Sequence, residues 1–169
     1  MNISIRQAEA RDWPQIWQIL APVLRAGETY SYPQDITPEQ ARQVWLELPA
    51  RTFIALKPDG EVVGTCYLKA NQPGQGSHVC NCGYVVSPSA RGRGVASALC
   101  RDSQQRAIAL GFRSMQFNLV VSTNEAAVRL WQKLGFSIVG TLPEAFRHPE
   151  RGYVDAFVMY RHLSPEAPA

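Results

Sequence analysis

The chain has 169 residues, 46% hydrophobic and 18% charged, and its 17 Lys and Arg against 14 Asp and Glu leave a formal charge of +3. That composition excludes a disordered or collagen-like chain, and the length suits one domain that buries its own core. So mild a basic surplus argues against a dedicated nucleic-acid binder, although basic residues focused at one place can serve an anionic ligand.

Arg6, Glu9, Arg11 and Asp12 interrupt residues 1–24, so this stretch reads as neither a signal core nor a membrane span. Residues 3–6 alternate like a short strand. Residues 13–24 are predicted helical, with Ile16, Leu20, Val23 and Leu24 on one face, Asp12 as cap and Pro14 in the tolerant first turn. An aromatic loop follows at 27–33. Thr37, Pro38 and Gln40 then have capping-box spacing, with Ala41, Val44, Trp45 and Leu48 as the apolar stripe of a second helix and Pro49 as its stop.

Strands at 52–56 and 61–70 flank Pro58-Asp59-Gly60, a hairpin turn, and a further strand covers 79–86. Residues 94–110 read as a helix closed by Gly111, and 114–121 as a strand. Residues 124–134 place Ala127, Leu130, Trp131 and Leu134 on one helical face before Gly135. Two last strands are expected near 137–141 and 153–160. The order β α α β β β α β α β β defines an α/β (α+β) protein with a mixed sheet flanked by helices. We expect one domain over 1–163 and a flexible tail at 164–169. Cys66, Cys80, Cys82 and Cys100 match no zinc spacing and read as reduced, buried thiols of a cytoplasmic protein without a metal.

The most informative stretch runs from Val85 and Val86 through Ser87-Pro88-Ser89-Ala90 to Arg91-Gly92-Arg93-Gly94-Val95-Ala96. A strand feeds a turn rich in glycine and arginine, and a helix starts at once. N–H groups at a helix start lack partners and the dipole there favours negative charge. Gly92 and Gly94 would let a phosphate approach the main chain, Ala96 keeps the first turn uncluttered, and Arg91 and Arg93 add charge. Taken alone, the turn also fits an ordinary strand–turn–helix.

Arg91-x-x-Gly94-x-Ala96 resembles the acyl-CoA pyrophosphate loop, R/Q-x-x-G-x-G/A, of the GCN5-related N-acetyltransferases (GNAT). The run from Asn124 to Gly135-Phe136 resembles that family's second signature, N-x-x-A-x-x-L-Y-x-K-L-G-F. The resemblance implies a GNAT fold whose central sheet splays open, acetyl-CoA as cosubstrate and acetyl transfer to an amine. It implies pyrophosphate on Arg91, Gly92, Arg93, Gly94, Val95 and Ala96, and N–H groups of Val85 and Val86 polarising the thioester. It also implies Asn124 against the pantetheine arm, and a homodimer by analogy.

The chain departs from that pattern at two positions. Trp131 replaces the tyrosine that commonly protonates the leaving thiolate, and Asn81 replaces a glutamate base. An amine of pKa ~10.4 is neutral about once in ~2500 at pH 7, a handicap of roughly 4.6 kcal/mol that a base or desolvating pocket must offset. His78 through Tyr84, with Phe117-Asn118-Leu119, resembles a narrower branch, the fungal acetyltransferases of proline analogues such as azetidine-2-carboxylate. That branch implies Asn81 and Asn118 at the substrate as the residues of the chemistry, with Asn124 a third matching asparagine. Amides supply both donor and acceptor.

Tyr30 and Tyr32, with Glu28, lie on the loop expected to cover the acceptor. Phe146 to His148 and Tyr153 to Asp155 are expected to form another wall, here or on a partner subunit. His78 reads as a strand-end residue. Cys80 and Cys82 should face the core, opposite Asn81. The expected acceptor is a small amine or cyclic imino acid, with no nucleic acid or membrane as partner. Two other readings stay open: a non-catalytic acyl-CoA sensor, and acetylation of peptide or protein N-termini.

Overall fold

Strand pairing builds the molecule around one seven-stranded sheet of order β1-β2-β3-β4-β5-β7-β6. The structure is a computed structural model that describes residues 2–163, so the tail expected at 164–169 lies outside the described residues. The elements are β1 (Ser4–Gln7), α1 (Trp13–Ala26), α2 (Pro38–Arg42), β2 (Arg51–Leu56), β3 (Val62–Ala70), β4 (Val79–Val86), α3 (Val95–Ala109), β5 (Ser114–Val121), α4 (Glu125–Lys133), β6 (Ser137–His148) and β7 (Gly152–His162), with single turns of 3-10 helix between some of them. This is the predicted order.

Alternation along the central strands divides the core into two layers. Cys66, Leu68, Cys80, Cys82 and Met115 pack with Val95, Leu99 and Cys100 of α3 and Trp131 of α4. Ile54, Val62, Tyr67 and Val85 pack on the other face with Ile16, Leu20 and Leu24 of α1 and with Trp45. The four cysteines are free and buried. Among the described residues no group of three or more His, Cys, Asp or Glu could hold a metal. No helix among them is long and apolar enough to cross a membrane.

Three local expectations are corrected. Asp12 does not cap α1 with its side chain. It is buried and takes two hydrogen bonds from the Arg6 guanidinium, both at 2.8 Å, and one from the Glu9 N–H at 2.7 Å. The second helix keeps its capping box, Thr37 with Gln40, but widens into a π-helical turn over Gln43–Glu47. The Leu48 N–H bonds the Gln43 carbonyl at 2.9 Å. That extra residue per turn rotates Leu48 off the apolar stripe, leaving it 67% exposed while Trp45 is buried. β6 runs past Pro143 to His148 because a bulge absorbs the proline. Glu144 takes φ 50° there, and its N–H is held by Asp155 Oδ1 at 3.0 Å.

The Arg6–Asp12 pair yields a pH-dependent expectation. The hydrogen bonds from Arg6 hold the Asp12 carboxyl below the usual range. Its stabilisation is therefore present above the ordinary carboxylate pKa of about 3.9 and fades as pH falls through the lowered folded value. Asp12→Asn should cost about 1–2 kcal/mol at pH 7, since Arg6 is partly exposed. Urea unfolding between pH 7 and 2 should show the wild-type advantage shrinking at the acid end.

Candidate active site

Parallel pairing of β4 with β5 holds only at Val79↔Ser114, Cys80↔Met115 and Asn81↔Gln116. Beyond Asn81 the strands part, and β5 also bulges from β7 between Phe117 and Val120. The Asn81 side chain sits at the fork. Its Nδ2 donates to the Gln116 carbonyl across the gap at 2.9 Å, and its Oδ1 accepts from the Tyr67 hydroxyl at 3.2 Å. It is buried on the α1 side, with Cys80 and Cys82 facing the opposite layer.

The parted strands open a cleft of about 950 Å³. Residues 90–92 and 94–97 line one end, Asn124, Ala127, Leu130 and Trp131 one side, and Asn81, Asn118, Lys69, Tyr67 and residues 28–32 the other end. Gly92 and Gly94 take φ 71° and 82°, a left-handed turn open to glycine with little cost. Gly94 is the N-cap of α3 and offers no side-chain cap. The first N–H groups of the helix are therefore left for a ligand. Arg91 lines this end, whereas Arg93 is exposed and outside the lining. The Val95 side chain is buried in the core, so only its main chain is available.

N–H groups alternate along a strand. The Ser87 N–H bonds the Val63 carbonyl on β3 at 2.9 Å, so that of Val85 also turns to β3. Tyr84 and Val86 turn theirs toward the cleft. At Tyr84 the main chain is met by the Tyr30 hydroxyl, which accepts from its N–H at 2.8 Å and donates to its carbonyl at 2.9 Å. A side chain thus takes the bonds that a neighbouring strand would make.

The Tyr84 ring turns inward, its hydroxyl 2.7 Å from Ser103 Oγ, and lies 5.0 Å from the Trp131 ring. Burial raises the phenol pKa of Tyr30, Tyr67 and Tyr84, so all three stay protonated and donate hydrogen bonds. Burial likewise raises the thiols of Cys80 and Cys82 and pushes Cys100 up to about 12, so these three stay protonated.

Asn118 is exposed at the cleft mouth. Its Oδ1 accepts from Gln116 Nε2 at 2.9 Å and its Nδ2 donates to Asn71 Oδ1 at 2.7 Å. The Asn124 side-chain Oδ1 caps α4 by accepting from the Ala127 N–H, a long 3.4 Å contact. Its amide nitrogen has no protein partner among the described residues. Tyr30 and Tyr32 stack at 6.1 Å and line the end of the cleft that holds Asn81. Residues 146–148 and 153–155 lie in the β6–β7 hairpin and do not line the cleft, so they form no wall of it within this chain. His78 is exposed just ahead of β4.

Sequence reasoning missed Tyr67, Lys69 and Gly83. Gly83 stands directly across from Tyr67, and Asn81 across from Lys69. A Cβ on Gly83 would lie 2.6 Å from Tyr67 Cε1 and 3.1 Å from the Tyr30 hydroxyl. Alternation in 64–70 carried a signal for Tyr67 and Lys69 as same-face residues, but their neighbours depend on strand register.

The parted strands and the uncapped, glycine-entered helix thus share one cleft, with an anion-binding end and an unpaired strand edge. The sequence model described as the Acetyltransferase (GNAT) family matches residues 5–136, and the chain belongs to that family of N-acetyltransferases. The L-amino acid N-acetyltransferase AaaT of Escherichia coli is 34% identical over 95% of this chain and 98% of its own. N-acetyltransferase aca1 of Schizosaccharomyces pombe is 32% identical over 83% of this chain and 75% of its own. A GCN5-related N-acetyltransferase from Kribbella flavida superposes with a TM-score of 0.90 at 47% identity, covering 95% and 98% of the two chains.

Proposed function

We propose that the protein transfers an acetyl group from acetyl-CoA to the nitrogen of a small amino or cyclic imino acid. One observation carries this reading: a single cleft runs from the uncapped start of α3, along the free edge of β4, to an acceptor end covered by residues 28–32. The α3 N–H groups and Arg91 bind the pyrophosphate. The free edge of β4 hydrogen-bonds the pantetheine as an added strand would, with Asn124 Nδ2 beside it. The cleft-facing N–H of Val86 is aimed where negative charge develops on the thioester oxygen, since that of Tyr84 is already bonded to the Tyr30 hydroxyl. The acceptor nitrogen bonds to the acetyl carbon as the carbon–sulfur bond breaks. CoA leaves as the thiolate, and the nitrogen's proton passes to water.

Asn81 holds the fork and keeps one amide proton and one lone pair for the acceptor. Asn118 presents its amide at the mouth. The loop over this end favours a small acceptor over a polypeptide, and the names of the amino-acid-acetylating relatives support the same class. Asn118→Ala should lower kcat/KM for a proline-analogue acceptor about tenfold or more, with acetyl-CoA affinity within twofold of wild type. Free-CoA release measured across a panel of amines and imino acids tests the reading. Acetyl-CoA binding without turnover of any acceptor would leave it a binding module.

A further inference from the structure

Lys69 has no role in the family motifs quoted above, yet its position is specific. It follows Tyr67 by two residues on β3, so both side chains leave the same face of the sheet. In the ladder it stands directly across from Asn81, the residue at the fork. Its ammonium lies 5.4 Å from the centroid of the Tyr67 ring and lines the cleft. The polar side chains that line the cleft with it at this end, the Tyr67 hydroxyl and the Asn81 and Asn118 amides, carry no net charge.

The other charged side chains lining the cleft are Arg91, at the phosphate end, and Glu28, on the covering loop. Among the described residues Lys69 makes no ion pair, with Glu28 or with any other carboxylate. The acceptor end therefore holds a half-buried cation, braced by an aromatic ring, with no protein anion within salt-bridge distance. An ammonium so placed is complementary to an anionic group on the acceptor.

Building on the acetyltransferase reading, we infer that Lys69 is the receptor for the acceptor's carboxylate, which makes this enzyme selective for amino and imino acids over the corresponding simple amines. A carboxylate seated on Lys69 puts a nitrogen one carbon away beside Asn81, at the fork where the thioester must lie. The cation thus orients the nucleophile as well as binding it.

The test compares azetidine-2-carboxylate and proline with azetidine and pyrrolidine, in wild type, Lys69→Met and Lys69→Arg, at saturating acetyl-CoA. Methionine keeps most of the stem on the Tyr67 ring and removes the charge. For the carboxylate acceptors Lys69→Met should raise KM at least tenfold with kcat changed less than threefold, and Lys69→Arg should recover part of the loss. Azetidine and pyrrolidine should not distinguish wild type from Lys69→Met. Acetyl-CoA affinity and melting temperature should be unchanged.

Calorimetric titration of N-acetylproline into protein saturated with CoA reads the same site without turnover, and Lys69→Met should weaken that binding at least tenfold. If Lys69→Met binds N-acetylproline as wild type does, or loses both acceptor classes alike, the assignment is overturned. Failure of wild type to acetylate any acceptor would instead overturn the acetyltransferase reading, with the N-acetylproline titration still deciding Lys69.

Discussion

Replacing Gly83 by valine is expected to abolish acceptor turnover while sparing acetyl-CoA binding. The glycine φ is not the reason, since Gly83 lies in regular strand. Close approach is: the first added carbon would sit 2.6 Å from Tyr67 Cε1 and 3.0 Å from Cζ. Tyr67 cannot retreat freely, because its ring packs edge-on against Trp45 at 4.9 Å and its hydroxyl holds Asn81. Overpacking of this kind costs about 1–3 kcal/mol, and relief would swing Tyr67 off Asn81 and Tyr30 off Tyr84. We expect kcat/KM for the acceptor to fall at least a hundredfold, with Gly83→Ala intermediate. The start of α3 lies elsewhere in the cleft, so acetyl-CoA affinity by calorimetry should stay within about threefold. A parallel collapse of cofactor binding would show that the damage is to the whole fold.

Trp45→Ala should produce the largest loss of stability. The indole is buried, donates to Thr65 Oγ1 at 3.1 Å, and meets Tyr67 and Tyr30 edge-on at 4.9 and 5.7 Å. Its carbonyl also accepts from the Thr52 hydroxyl at 2.7 Å, which ties the π turn to β2. Emptying such a site costs about 3–5 kcal/mol, or roughly 6–20 °C of melting temperature for a domain of this size. Trp45→Phe should cost far less, because Thr65 keeps its bond to the Phe53 carbonyl at 3.0 Å. Calorimetry on both variants checks the ranking. Acceptor KM should rise in Trp45→Ala even at temperatures where the protein stays folded, since the indole braces both tyrosines over the acceptor.

The two motifs were legible in the chain because each is local. Gly92 and Gly94 must be glycine-like to turn left-handed before α3, and Asn124 and Gly135 bound one short helix. The Thr37–Gln40 capping box is equally local, and it forms as read. The π turn escaped because one widened turn leaves the apolar spacing up to Trp45 intact and only displaces Leu48. The continuation of β6 escaped because Pro143 reads as a stop, while its bulge is held by Asp155 from the neighbouring strand.

The sequence by itself determined the order of elements, the alternation that buries Cys80 and Cys82, and a glycine-entered helix start with no side-chain cap. These follow from bonds and spacings within a few residues. Only the tertiary structure decided which side chains meet at the other end of the cleft. The fork ends at Asn81 because β4 and β5 meet there across 35 positions of chain. Tyr30 reaches Tyr84 across 54, and Lys69 comes to Asn81 through strand register. A one-residue slip of β3 against β4 would part Lys69 from Asn81 and send one of them to the opposite face. The basic surplus of +3 is spread thinly over the chain, and it gains meaning from two cations at opposite ends of one cleft: Arg91 beside the start of α3 and Lys69 beside Asn81.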